Sequence, residues 1–246
     1  MSKISHGWAM ANLEGRITAH VHAWEKAREA GQPLAPATFP FVTISREVGC
    51  EGELVALRLA EILNERCRPF FTWVAYDREL LEKVTQELHL QQGVVESIDG
   101  RRRDEMSGLF DSILNRRVDD ALLFRKMAEI IRSLAIHGHA IIVGRGGYLL
   151  TQDMKTGLCV RLVAPREWRA HNIAEEHNLP HQEAEKLMAQ AEKERERFLR
   201  TFFTPDPAHP FCFDLTIDNS RFNIAQITEL IFTALGARFG ETLVSG

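Results

Sequence analysis

Short apolar runs alternate with helix-length amphipathic stretches along most of the chain. The runs predict five strands, at Phe39–Ser45, Pro69–Val74, Ala140–Val143, Leu158–Val163 and Phe213–Ile217. The longer stretches predict helices at Glu53–Glu65, Arg78–Leu88, Ser112–His137, Pro165–His177, His181–Arg200 and Ile224–Phe239. Strands joined by crossover helices form a parallel sheet that is covered on both faces. The pattern therefore predicts an α/β domain whose ligand lies beyond the carboxyl ends of the strands.

The first 38 residues form a separate unit in this pattern. Apolar residues recur there at three- and four-residue spacing, which predicts one face of a helix; they are Met10, Leu13, Ile17, Val21 and Trp24. Gly31 and Pro33 end that helix. We expect an N-terminal helical extension over 1–38 and one domain over 39–246. The helix packs either on the main domain or on a second subunit, which would make a homodimer.

The composition and net charge of the chain argue against several classes of function. The 246 residues contain 45% hydrophobic and 26% charged positions, as in a globular protein. A net charge of −4 argues against binding to a nucleic-acid polymer. The four cysteines form no CxxC pair and the ten histidines follow no metal-ligand spacing, so no protein-built metal site is predicted. No apolar run reaches the length of a membrane span, and we expect a cytoplasmic protein without a membrane partner.

The segment after the first strand is a candidate phosphate-binding loop. A glycine-bearing turn between a strand and a helix can aim backbone N–H groups and the helix dipole at a phosphate. The candidate residues are Ser45, Arg46, Val48, Gly49, Cys50, Glu51 and Gly52. The usual loop lysine is missing and Arg46 is the nearby cation. Plain turn chemistry is the alternative, and Cys50 is either a reactive thiol or a small side chain that fills the turn.

Two further candidates follow the second and third strands. Asp77 and Arg78 begin a predicted helix, where Asp77 is either an N-cap or, with Arg78, a contact to an acceptor nucleotide. Arg145 lies between Gly144 and Gly146 at the end of a buried strand. Its planar, charged fork suits a phosphate, and a structural salt bridge is the alternative.

The stretch Ala184–Arg200 carries arginines among acidic residues. It is either a solvated helix with i,i+4 ion pairs or a lid that brings Arg195 and Arg200 over a transferred phosphate.

Taken in order, these pieces resemble the cytidylate kinase-like proteins, a branch of the nucleoside monophosphate kinases. The matching segments are TISREVGCEG, YDRELL, VVESIDGRRR, IIVGRGGYLL, AEKERERFLRTFF and FDLTIDNSRFNI. The likeness runs from about Phe39 to Phe239. It implies a P-loop kinase fold, a three-layer αβα arrangement with a five-stranded parallel sheet and a helical lid at about 181–210. It also implies ATP with Mg²⁺ as cofactor and CMP or dCMP as acceptor.

The resemblance also assigns roles to residues. Arg46–Gly52 matches the phosphate loop, Asp77 the aspartate beside the acceptor sugar, and Arg145 the arginine at the acceptor phosphate. Arg195 matches the lid arginine, and Arg200 is a weaker match. Asp218 and Asn219 fall near the loop that borders the donor base.

Departures from the family pattern leave three functions open. The loop has no lysine and carries Cys50, Glu51 and Glu53 at positions where relatives have serine, glycine and arginine. An acidic side chain in the loop repels a triphosphate unless it points away or holds a metal. We expect phosphoryl transfer from a nucleoside triphosphate to a nucleoside monophosphate. The alternatives are a catalytically inactive nucleotide-sensing or protein-interaction module that keeps the fold, and a kinase for another small substrate.

Overall fold

The computed structural model describes residues 39–69, 72–77, 81, 118–203 and 212–244. The predicted N-terminal helix, the candidate Arg78 and the segment VVESIDGRRR lie outside these ranges. The predicted extension, its homodimer and the division at residue 38 therefore stay predictions.

The predicted parallel sheet is confirmed. Five strands pair in the order β2-β3-β1-β4-β5, and every pairing is parallel. The strands are β1 (Phe41–Arg46), β2 (Val74–Tyr76), β3 (Ala140–Val143), β4 (Gly157–Val163) and β5 (Leu215–Asp218). The described helices are α1 (Gly52–Cys67), α2 (Val118–His137), α3 (Gly147–Leu150), α4 (Arg166–His177), α5 (His181–Phe202) and α6 (Ile224–Val244).

Helices cover both faces of this sheet. Successive side chains of a strand point to opposite faces, so Val42 and Ile44 join a core with α1 and α6, while Phe41 joins a second core with α2. Aromatic residues at the end of α5 pack against the second core, where the rings of Phe124 and Phe202 stack at 4.1 Å. That contact anchors the carboxyl end of the lid helix beside the site. No helix in the described ranges is long and apolar enough to cross a membrane.

The largest differences from the predicted elements lie at three places, and the other bounds that fall within the described residues shift by at most two residues. Strand β2 begins at Val74 and not at Pro69, because the side chain of Asn64 bonds both backbone groups of Trp73 and draws that residue toward α1. The short helix α3 was not predicted, and α6 continues five residues beyond Phe239. From the predicted helix at Arg78–Leu88 only Leu81 is described, and it is helical.

Candidate active site

The loop between β1 and α1 turns its carbonyl groups toward α4. Arg169 Nη1 donates to the carbonyl oxygen of Val48 at 2.9 Å, and Asn172 Nδ2 donates to that of Gly49 at 3.2 Å. A trans peptide directs its N–H away from its C=O, so the Gly49 amide points away from α4. Within the described part of the chain, nothing accepts a hydrogen bond from the amides of Val48 and Gly49. Both residues line a cavity, and these two N–H groups are suited to an anion.

Glu51 points to the β5 side of the loop. Its amide donates to Asn219 Oδ1 at 2.8 Å, and Asn219 Nδ2 donates to Glu51 Oε2 at 3.1 Å. Asn219 is buried, and Glu51 does not line the cavity. The acidic residue that was expected to repel a triphosphate is therefore used to join the loop to the end of β5. The amide of Cys50 donates to the Glu47 carbonyl oxygen, so the amides of Cys50 and Glu51 both have acceptors inside the protein.

The cavity has a volume of about 590 Å³ and lies between the loop, the end of β3, and helices α4 and α5. Among the predicted site residues it is lined by Ser45, Arg46, Val48, Gly49, Cys50, Arg145 and Arg195. Its lining also holds four carboxylates, from Glu47, Glu53, Glu176 and Glu194. Charges of both signs therefore line the same cavity.

Arg46 lays its side chain across the loop. A Cβ at Gly52 would lie 3.1 Å from the Cγ and Cδ atoms of Arg46, and a Cβ at Gly144 would collide with Nη1. Arg46 Nη2 donates to Glu53 Oε1 at 3.0 Å. The stem thus passes the start of α1, and the guanidinium reaches the end of β3. The Arg46 side chain therefore spans the space between the ends of β1 and β3.

Arg145 is held in an unusual backbone conformation. Its φ is 50°, and the flanking Gly144 and Gly146 have φ of 73° and 69°. A left-handed conformation costs a non-glycine residue about 1–2 kcal/mol, and such residues concentrate at functional sites. The guanidinium lies over the ring of Phe198 on α5, 5.6 Å from the ring centroid. The strain supports a ligand-binding role, although the contact with Phe198 also gives Arg145 a packing role.

Arg195 projects from α5 into the same cavity. Its Nη2 lies 3.5 Å from the Ser45 hydroxyl oxygen. Burial lowers the pKa of the Arg195 guanidinium, and the nearby Arg46 and Arg161 lower it further against an opposing effect of Tyr148. A cation that is partly buried near two others is stabilised when an anion joins them.

Three predicted residues lie elsewhere or cannot be placed. Asp77 follows β2 at the same sheet edge, since Tyr76 pairs with Ile142, but it does not line the cavity. Its carbonyl oxygen accepts from the amide of Leu81. Arg200 is exposed and pairs with Glu196 at 2.6 Å, so it lies on the solvated face of α5. Arg78 is outside the described residues.

Asp218 is the last residue of β5, and Asn219 follows it; their position beside a donor base stays a prediction. Asp218 Oδ1 accepts from the amide and the hydroxyl of Ser220 at 2.9 and 2.6 Å. The Ser220 hydroxyl and amide hold the pKa of Asp218 below its usual range. Asp218 therefore shapes the turn that presents Asn219 to Glu51.

Arg169 was not among the predicted site residues, and it lies behind the loop. Arg169, Ala170 and Ile173 are the buried residues of α4. An arginine in the middle of a helix face that is otherwise small and apolar was the available signal, because buried arginines are rare unless paired.

Cys50 is expected to resist alkylation in the folded protein. Burial, reinforced by the Glu47 carboxylate, raises the pKa of its thiol to about 12, whereas a free cysteine ionises near about 8.5. The thiolate is the nucleophile, so at pH 8 iodoacetamide should label Cys50 at least about a hundredfold more slowly than in urea-unfolded protein. Peptide mass spectrometry measures both rates, and equal rates would restore the reactive-thiol interpretation.

Comparisons with solved structures find a chain with a similar fold. The chain is similar to an uncharacterized protein from Eubacterium ventriosum ATCC 27560, with 19% identity over 81% of this chain and 99% of that chain and a TM-score of 0.63. Two weaker likenesses are to a shikimate kinase from Bacteroides thetaiotaomicron (14% identity, 80% and 98% coverage, TM-score 0.41) and a gluconokinase from Sinorhizobium meliloti 1021 (12%, 85% and 97%, TM-score 0.38). A search of curated proteins finds no match.

The family model of cytidylate kinase-like proteins matches residues 41–221, which includes the loop, the lid helix and all five strands. The predicted P-loop kinase fold is thereby confirmed. The chain belongs to the cytidylate kinase-like family.

Proposed function

We propose that this protein transfers a phosphoryl group from a nucleoside triphosphate to a nucleoside monophosphate, with CMP or dCMP as the acceptor. The observation that carries the proposal is the convergence of Arg46, Arg145 and Arg195 on one cavity from three separate elements. Phosphoryl transfer requires positioning and charge stabilisation more than covalent chemistry. Three guanidinium groups around one space supply both without a loop lysine.

Each group has a role in this proposal. The amides of Val48 and Gly49 and the N-terminus of α1 bind donor phosphate, and Arg46 neutralises it after leaving Glu53. Arg145 holds the acceptor phosphate, and Arg195 stabilises the charge of the group in transfer. Asp77 orients the acceptor sugar from the neighbouring strand end.

Mg²⁺ fits this site as an ion that accompanies the triphosphate. Mg²⁺ is commonly held by one or two carboxylates together with substrate phosphates and water. Ser45 and Glu53 line the cavity with a hydroxyl and a carboxylate. Among the described residues, no group of three or more His, Cys, Asp or Glu side chains can hold a metal alone. The phosphates would supply the remaining ligands, and the ion would offset charge on them.

The alternative proposal is a nucleotide sensor that retains the fold without turnover. The ion pair of Arg46 with Glu53 favours it, since the loop cation is partly neutralised before any ligand arrives. The four carboxylates in the cavity lining also favour the sensor. Measurement of turnover separates the two proposals.

The first experiment is a thermal-shift screen with ATP, GTP, CMP, dCMP, UMP and AMP in the presence of Mg²⁺, followed by an assay for diphosphate. A ligand at one hundred times its Kd stabilises the native state by about 2.7 kcal/mol. We expect ATP and CMP or dCMP each to raise the midpoint and together to yield diphosphate. Stabilisation without diphosphate supports the sensor, and no response to any nucleotide contradicts both.

Arg145→Ala tests the acceptor site in the same screen. We expect this variant to lose most of the shift caused by the monophosphate and to keep the shift caused by ATP, because the charge-assisted contact is made to the acceptor alone. Arg200→Ala is the matched control, since Arg200 is exposed and outside the cavity. An unchanged monophosphate shift in Arg145→Ala would remove that role.

A further inference from the structure

Arg169 on α4 is a buried cation that none of the proposed chemical steps uses. It is 8% exposed, and its guanidinium contacts three separate parts of the site. Nε donates to the carbonyl oxygen of Ala164 at 3.0 Å, after β4. Nη1 donates to the carbonyl oxygen of Val48 at 2.9 Å and to Glu192 Oε1 at 2.5 Å. One guanidinium therefore connects the phosphate loop with the lid helix α5.

In the phosphate loop, the bond from Arg169 fixes the direction of the Gly49 amide. The carbonyl of Val48 and the amide of Gly49 belong to one trans peptide, in which the two groups point in opposite directions. The bond from Arg169 thus sets the direction of the Gly49 N–H. The backbone of α4 supports the loop at close range, because a Cβ at Gly49 would lie 2.6 Å from the carbonyl oxygen of Arg169.

The lid end of the connection is one helical turn from Arg195. Glu192 and Arg195 are three residues apart on α5, and residues at this spacing are neighbours on a helix surface. A shift of α5 that moves Arg195 therefore also moves the carboxylate of Glu192. A buried guanidinium needs a charged partner. Its other acidic neighbour, Glu47 Oε2, lies 3.5 Å from Nε, and the exposed Arg166 lies 3.9 Å from Glu192.

We propose that Arg169 is a positioning residue that couples the placement of the lid helix to the orientation of the Gly49 amide in the phosphate loop. With Glu192 against it, the guanidinium is oriented so that Nη1 also reaches Val48. When Glu192 moves away, the guanidinium turns toward Glu47 and its hold on the loop weakens. The assignment of phosphate as the ligand of the loop rests on the proposed function, but the coupling itself does not.

Hydrogen exchange of the ligand-free protein tests the coupling. Glu192→Gln keeps the shape of the side chain and removes its charge, so the bond to Arg169 loses about half its strength. We expect the hydrogen-bonded loop amides of Glu47, Cys50, Glu51 and Val55 to exchange about fivefold faster in this variant. Amides of α6, on the far face of the sheet, should be unchanged. A purely structural loss of stability would raise exchange in both.

Glu196→Gln is the matched control. It makes the same change one turn further along α5, in an exposed pair with Arg200. We expect loop exchange in this variant to equal that of the wild type. Equal loop exchange in Glu192→Gln and Glu196→Gln would overturn the coupling.

A measurement of ligand binding separates the coupling from the proposed function. Calorimetric titration with tripolyphosphate and Mg²⁺ should show binding about fivefold weaker in Glu192→Gln than in Glu196→Gln. If the wild type binds no tripolyphosphate, the assignment of the loop to phosphate fails. The hydrogen-exchange comparison still tests whether the lid helix and the loop are coupled. If Glu192→Gln and Glu196→Gln bind tripolyphosphate equally well, the effect of Glu192 on the Gly49 amide is contradicted.

Discussion

Alanine in place of Arg195 is expected to lower the rate of phosphoryl transfer by about a thousandfold and to change ATP affinity far less. Arg195 lies on the lid helix, with Nη2 3.5 Å from the Ser45 hydroxyl, and burial, with a smaller effect of the nearby Arg46, lowers the pKa of its guanidinium. The repulsion among these cations is relieved most when negative charge on the bound phosphates is greatest. An arginine in this setting stabilises the transition state more than the ground state.

Initial rates with ATP, Mg²⁺ and the acceptor found in the screen measure this effect. Arg200→Ala changes the same side chain on the same helix, but at an exposed position paired with Glu196. We expect its rate to stay within about twofold of the wild type, because exposed ion pairs contribute little. Arg195→Lys should recover only part of the rate, since lysine keeps the charge and loses the planar fork. A rate in Arg195→Ala within tenfold of the wild type would contradict the role.

The sheet was predictable because β1, β2 and β3 are buried on both faces and all five strands include short apolar runs. Ala140–Val143 was predicted with the bounds that the structure has. The predicted start of strand β2 was too early, and no local sequence pattern indicates the reason. The amide and carbonyl of Trp73 bond the side chain of Asn64, nine residues earlier on α1, so that residue is outside the ladder.

Part of the cavity lining could be predicted from local pattern. Arg145 was a candidate because glycines flank it after a buried strand, and the structure places it in the cavity lining with positive φ at all three residues. The direction of Glu51 was not predictable, because its partner Asn219 is 168 residues away in the sequence. Arg169 was missed for the same kind of reason, since its partners Val48 and Glu192 lie on elements distant in the chain.

The missing loop lysine predicted a weakened donor site, and that stays a prediction. The structure adds that Arg46 reaches across the loop from the last position of β1. Arg46 Nη2 donates to Glu53 Oε1 in this arrangement, so the proposed role of Arg46 requires that this pair separate. Sequence alone places both charges in the loop but does not show that they pair.

Gly49→Ala is expected to destabilise the protein by about 3 kcal/mol or more, because two independent costs combine. Gly49 has a φ of 90°, which side-chain-bearing residues rarely adopt. An added Cβ would also lie 2.6 Å from the carbonyl oxygen and 2.8 Å from the Cβ of Arg169. These atoms belong to the backbone and the base of a side chain on α4, so they cannot move aside as the tip of a flexible side chain would.

Urea unfolding of Gly49→Ala beside Gly236→Ala measures the cost against a matched change. Gly236 lies in α6, where an added Cβ meets nothing within 4 Å, so alanine there should stabilise the protein by about 0.5–1 kcal/mol. The midpoint should fall in the first variant and rise in the second, with little change in slope. An unchanged midpoint in Gly49→Ala would mean that the loop relaxes away from α4, and the support that Arg169 gives the loop would then be lost with it.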